Sequence, residues 1–257
     1  MSRSASALRS VRLTIGSVLV LAAWYLYVQF GHVPTYVLPP PLAVATRLWT
    51  QRELIGMHLQ VTLLETLAGL ALGTLLALAI AVIVVHSRVL SDLLYPIVVA
   101  SQAVPKVALA PLFVAWFGLG IESKLVLTVL ICFFPVVIGA TTGLAQIDRE
   151  LLDLARCQGA SALRVLALIR APHALPYVMD SLKVALPLAM VGAITAEFIS
   201  GQSGIGTLLL DSSARLQTDL TFAAILIIAV AMGCLYGLLL IVERTALRWR
   251  RLELGIT

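Results

Sequence analysis

Four stretches of this chain, Leu13 to Thr46, Thr66 to Val85, Leu125 to Ile147 and Leu220 to Val242, contain no Asp, Glu, Lys or Arg. No other feature constrains the fold as strongly, because a bilayer-spanning helix needs about 20 consecutive apolar residues. Apolar residues make up 60% of the sequence and charged ones 12%, whereas soluble domains are roughly 45–50% apolar. The chain is an integral membrane protein. Its long runs are apolar on every face, while barrel strands alternate polar and apolar positions over about 10 residues. A helix satisfies its own backbone N–H and C=O groups, so the expected fold class is an all-α integral membrane protein.

Spans are expected at about Leu13 to Phe30, Val61 to Val85, Leu93 to Phe117, Leu125 to Leu144, Tyr177 to Phe198 and Thr221 to Val242, which makes six transmembrane helices. The first follows Arg3, Arg9 and Arg12 as a secretory signal would. It ends on the interfacial side chains Trp24, Tyr25 and Tyr27 and not on a small-residue cleavage site, so it reads as a retained span. Residues Gly31 to Gln60 hold Pro34 and the run Pro39-Pro40-Pro41, which end helices and predict an extramembrane connection carrying a short surface helix. With the amino terminus inside, the inner segments carry Arg3, Arg9, Arg12, Arg88, Arg149, Arg156, Arg164, Arg170, Arg244, Arg248, Arg250 and Arg251. The outer ones carry Arg47, Arg52, Lys124 and Arg215. Positive charge accumulates on the cytoplasmic side, so both termini are expected there. Residues 1–257 are read as a single transmembrane domain, with core spans at 61–242 and a cytoplasmic loop at 145–176.

The net charge of +5 does not indicate nucleic acid, because the arginines cluster beside apolar spans, as membrane orientation requires. Cys132, Cys157 and Cys234 are too scattered for a disulfide framework or a CxxC metal site. His32, His58, His86 and His173 form no HExxH or paired spacing, so neither metal nor acid–base chemistry has a visible site. The chain is not read as an enzyme, and no cofactor is expected to bind it.

The stretch ELLDLARCQGASALRVLALIRAPHALP, Glu150 to Pro176, interrupts this pattern. Leu151, Leu154 and Ala155 share one face of a short helix. Gly159 can adopt the left-handed conformation that ends it, and Ser161 can cap a second helix through Leu163, Leu166 and Ala167, which Pro172 is expected to stop. Two readings fit. The pair is either an amphipathic loop on the inner leaflet, with Arg156, Arg164 and Arg170 facing lipid phosphates, or a docking surface.

The spacing Asp153-Leu154-Ala155, Gly159, Ile169 and Ala171-Pro172 resembles the signature of permease subunits of binding-protein-dependent ABC importers. That signature reads Glu-Ala-Ala, three residues, Gly, nine residues, Ile, one residue, Leu-Pro. Asp153, Leu154 and Ala171 depart from it. The blocks LPPPLAVATRLW (Leu38 to Trp49), VPKVALAPLFVAWFGLG (Val104 to Gly120), AEFISGQSGIGTLL (Ala196 to Leu209) and ERTALRWR (Glu243 to Arg250) look like the nitrate, sulfonate and taurine branch. The resemblance implies that Asp153, Leu154, Ala155, Gly159, Ala160, Ile169 and Pro172 belong to a cytoplasmic coupling-helix loop between spans four and five, which docks on an ATPase subunit. It further implies two such ATPases that use ATP and Mg, a second, identical permease copy in a homodimer, and a periplasmic or lipid-anchored substrate-binding protein. The place implied is the bacterial inner membrane, among its lipids.

None of Lys106, Lys124 and Lys183 sits in a G-x-x-x-x-G-K-[ST] context, so a phosphate-binding loop for ATP is absent from the chain. An importer of this kind takes its hydrolysis from another subunit. Ionisable residues within spans are functional candidates, since their insertion is costly. Lys106, between Pro105 and Pro111, marks an expected helix break and reads either as a pathway-lining cation or as a partner for freed carbonyls. Glu65 and Glu197 read either as parts of an outer gate or as helix-end carboxylates in interfacial water. Asp180 and Lys183 form a local pair by spacing. Gly69 and Gly73, Gly139 and Gly143, and Gly233 and Gly237 are spaced for close helix approach, within the chain or between subunits.

The sequence thus predicts the membrane permease of an ATP-driven importer for a small solute, of the organic-anion type that the branch resemblance implies. The alternative is a self-contained secondary transporter or channel, with Glu65, Lys106 and Glu197 as its charge path.

Overall fold

The computed structural model describes residues 3–31, 33–86, 93, 96–97, 100–101 and 103–247. Among these residues every regular element is helical. Helix α1 spans Arg3–Phe30, α2 Pro41–Thr50 and α3 Arg52–His86; a 3₁₀ turn at Lys106–Leu109 leads into α4, Ala110–Phe117. There follow α5 (Ile121–Ala145), α6 (Arg149–Cys157), α7 (Ala162–Val165), α8 (Ala171–Ser200), α9 (Ile205–Ala214) and α10 (Thr218–Ala246). Among the described residues, four helical stretches are long and apolar enough to cross a bilayer: Arg52–His86, Ile121–Ala145, Ala162–Ser200 and Thr218–Ala246. Shorter apolar helices at Leu19–Phe30 and Lys106–Phe117 fall within the other two expected spans. Part of the third span, together with Arg88, Arg248, Arg250 and Arg251, lies outside the described residues.

Local chemistry explains the boundaries. Pro41 opens α2 at a position where its missing N–H costs nothing. The expected surface connection closes sooner than its composition suggested: only Gln51 separates α2 from α3, so Arg52 to Gln60 form the first turns of a long helix. The break expected beside Lys106 is present, with Pro105 extended at φ −69°, ψ 92° before the 3₁₀ turn. Pro172 does not end the second loop helix, contrary to expectation. Leu166–Arg170 form a π-helical turn in which Ala171 N–H reaches the Leu166 carbonyl. That wider turn moves the preceding carbonyls out of α-helical register and accommodates the proline ring. Ala171 stays helical at φ −66°, ψ −46°, and Pro172 sits in the first turn of α8.

The chain divides into two compact units. In the unit comprising Met1–His58 and Leu208–Ala229, the Trp24 ring lies 5.9 Å from that of Phe222. Arg47 Nε donates to Asp219 at 2.9 Å, and Thr218 Oγ1 donates to the Tyr36 carbonyl at 2.7 Å. These bonds fasten the loop after α1 and helix α2 to the start of α10.

In the unit comprising Leu59–Thr207 and Val230–Thr257, α5 and α8 pack along their lengths through small side chains. Ala77, Cys132, Val136, Val137, Ala185 and Ala189 form one buried cluster. A second, of Ala81, Ala140, Leu144, Ala174 and Val178, continues toward the α6 end. The approach is close because glycines permit it: a Cβ on Gly73 would stand 2.6 Å from Cys132 Sγ, and one on Gly143 would stand 2.8 Å from Ala174 Cα. Gly69 and Gly73 face α5, and Gly139 and Gly143 face α8. Gly233 and Gly237 on α10 have open space where a Cβ would be.

Candidate functional site

The loop between α5 and α8 is built on a helix terminus. Helix α6 ends at Gly159, whose φ is +73°. Gly159 N–H bonds the Arg156 carbonyl at 2.9 Å, and Ala160 N–H reaches back to that of Ala155 at 3.0 Å. This paired pattern is a Schellman cap, which a left-handed glycine adopts without a Cβ clash. Ser161 then accepts the Arg164 N–H at 3.4 Å as the cap of α7, the role its spacing suggested.

Side chains from the far arm of the loop tie it to α5. Arg170 Nη1 donates to the Leu144 carbonyl at 2.8 Å. The His173 ring nitrogen Nδ1 lies 3.0 Å from the Gly143 carbonyl, and Tyr177 OH donates to Gln146 Oε1 at 2.9 Å. The last carbonyls of a helix have no partners within it, and here the loop supplies them. Of the residues singled out by spacing, Ala155 is buried, Ala160 and Ile169 are half-buried, and Asp153, Leu154, Gly159 and Pro172 are exposed. Asp153 accepts from Arg156 at 3.1 Å. Leu151, Leu154, Leu163 and Leu168 are 46%, 55%, 75% and 69% exposed, so the loop presents apolar side chains that the other described residues leave largely uncovered.

The opposite end of α5 holds a polar cluster. Glu65 and Glu197 are 1% and 0% exposed, which excludes the interfacial-water reading. Lys124, counted above among the outer cations, is 3% exposed and reaches Glu65 Oε1 at 2.7 Å and the Ser203 carbonyl at 3.0 Å. Glu197 accepts from Thr62 Oγ1 at 2.6 Å and from Gly206 N–H at 2.6 Å. Thr62 Oγ1 in turn accepts the Ile205 N–H at 2.8 Å. Helices α3, α5 and α8 and the turn Gly201 to Gly206 are thereby locked together by one network. Gly204, at φ +109°, presses against the Glu197 carboxyl so closely that a Cβ there would overlap it. A buried charge persists only when paired and hydrogen-bonded, and this turn is shaped to do that.

The structure thus brings Glu65 and Glu197 into one cluster and leaves Lys106 outside it. Lys106 is half-buried, with Nζ 4.6 Å from the ring centroid of Phe134, midway along α5. Thr62 and Lys124 were missed by sequence reasoning. The one signal for Lys124 was its charge, complementary to Glu65, at the end of a long apolar run; uncharged Thr62 gave none. Asp180 and Lys183 pair as their spacing suggests, at 2.9 Å, and Lys183 also reaches Glu243 at 2.6 Å.

Residues 69–248 match the family model described as binding-protein-dependent transport system inner membrane component. A protein of Haemophilus influenzae named as an ABC transporter permease is 43% identical over 217 residues, covering 84% of this chain and 89% of its own. The riboflavin transport system permease protein of Chloroflexus aurantiacus is 35% identical over 239 residues, 92% of this chain and 89% of its own. A permease named for aliphatic sulfonate transport in Escherichia coli is 34% identical over 232 residues, 90% of this chain and 88% of its own. The long apolar helices and these matches together identify the chain as a member of the binding-protein-dependent transport system inner membrane component family, a membrane permease of ABC transporters.

Proposed function

We propose that the chain forms the translocation pathway of an ABC importer and receives its motion through the loop from Asp153 to Pro172. The loop docks on two cytoplasmic ATPase subunits, which hold the ATP and Mg, and a second copy of the chain completes the pathway. Both termini face the cytoplasm. A binding protein on the other side delivers a small solute, an organic anion of the sulfonate, taurine or nitrate class, in keeping with the sulfonate relative and with the half-buried cation Lys106.

One observation carries this reading: four exposed leucines flank the Gly159 turn, on a segment that side-chain bonds anchor to the end of α5. An apolar surface rimmed by Asp153, Arg156 and Arg164 suits a protein groove. Motion delivered there passes directly into α5 and α8. Lys106 lines the pathway, and the Glu65 and Glu197 cluster holds the outer end closed in this conformation. Alternating access requires two global states that nucleotide and substrate favour differently.

The direct test is co-purification of the ATPase with wild type and Gly159→Val in mild detergent, together with ATP-driven uptake in vesicles. The variant is expected to insert normally, to retain little ATPase and to transport poorly. Full uptake with undiminished ATPase association would overturn the assignment.

A further inference from the structure

Behind the loop, a cleft of about 520 Å³ is lined by three arginines, Arg149, Arg156 and Arg170, with apolar walls that include Val85 and Leu152. The carboxylate in its lining is Asp153, which pairs with Arg156. Arg170 spends one N–H on a neutral carbonyl, that of Leu144, and makes no ion pair among the described residues. Arg149 makes no ion pair among the described residues. Arg156 and Arg170 stand near enough to repel each other.

Three cations facing one carboxylate in a half-enclosed cleft, with apolar side chains along part of its wall, focus a positive field on whatever enters it. Guanidinium forks match phosphate oxygens two at a time, and lysines in their place would not. The apolar walls add a surface for an acyl chain. We propose that this cleft binds the phosphate of an anionic lipid headgroup and that the bound lipid braces the loop against α5. The inference rests on the reading that the loop lies on the cytoplasmic side, where the leaflet carries anionic lipid.

The test titrates the full-length chain, in mild detergent, with phosphatidylglycerol and separately with phosphatidylcholine, and counts bound lipid by native mass spectrometry. Phosphatidylglycerol is expected to bind more tightly, and Arg149→Gln or Arg156→Gln each to weaken it about fivefold, the effect of one basic residue at a charged surface. Arg149→Lys, which keeps the charge but loses the fork, is expected to fall between wild type and Arg149→Gln, and Arg215→Gln, which does not line the cleft, to keep all of the preference. Equal binding of the two lipids, or an unchanged preference in both glutamine variants, would overturn the proposal. Displacement by millimolar inorganic phosphate would overturn the lipid assignment in favour of a free-anion site. Lipid preference is read without any ATPase present, so it can fail while the coupling assay succeeds, and the reverse.

Discussion

Lys124 Nζ and Glu65 Oε1 stand 2.7 Å apart, both residues almost wholly buried, one at the first turn of α5 and the other on α3. Removing one partner of such a pair strands a charge in a low-dielectric interior, which costs about 3–5 kcal/mol. Lys124→Met alone and Glu65→Leu alone are therefore expected to lower the unfolding temperature in detergent sharply. The double variant recovers much of the loss, because no bare charge remains. Additive losses around that cycle would mean that the two groups do not depend on each other.

Thr62 acts as a relay in the same network, accepting from Ile205 N–H while donating to Glu197. Thr62→Val keeps the shape and removes both bonds, leaving a buried N–H and a buried carboxyl short of partners, at a cost of about 1–3 kcal/mol. Thr62→Ser restores the hydroxyl and is expected to recover most of the stability. Equal losses in both variants would shift the cause from hydrogen bonding to packing of the methyl group.

Much of this structure was legible in the sequence where one local rule decides the outcome. Gly159 and Ser161 were readable as a stop and a cap because each acts on backbone groups within a few residues of itself. The apolar runs were readable because bilayer thickness sets their length. Pro172 was misread for the same reason: the rule for proline describes its own turn, and the π-helical register that absorbs it is set by the packed helix beyond. Glu65 and Glu197 were visible as costly charges, yet their cluster depends on contacts between residues 59 positions apart, Glu65 and Lys124, and 135 apart, Thr62 and Glu197. Periodicity within one helix carries no record of such pairings.

The glycine pairs give a contrast. Gly143→Ala would place a methyl 2.8 Å from Ala174 Cα, and backbone cannot yield as a side chain can. The helices must separate, at about 1–3 kcal/mol. Gly233→Ala meets nothing within 4 Å and is expected to leave monomer stability unchanged or raise it by up to about 1 kcal/mol through helix propensity. Thermal unfolding of the two variants side by side checks this. A loss at Gly233 that depends on protein concentration would instead reveal a second chain packed against α10.

The Gly159 turn separates backbone strain from surface chemistry. Its φ of +73° costs a residue with a Cβ about 1–2 kcal/mol, and open space around the glycine means that no clash adds to this. Gly159→Asn is expected to keep the cap, since asparagine tolerates the left-handed region, and so to retain ATPase association. Gly159→Ala strains the turn and weakens association moderately. Gly159→Val, β-branched and a true outlier at positive φ, opens the angle between α6 and α7 and loses it. Global unfolding should barely move across the series, because the turn is exposed and the core clusters lie elsewhere. If association instead followed side-chain size, with Asn and Val equally defective, the docking surface would have no room at Gly159 and the cap geometry would not be what matters.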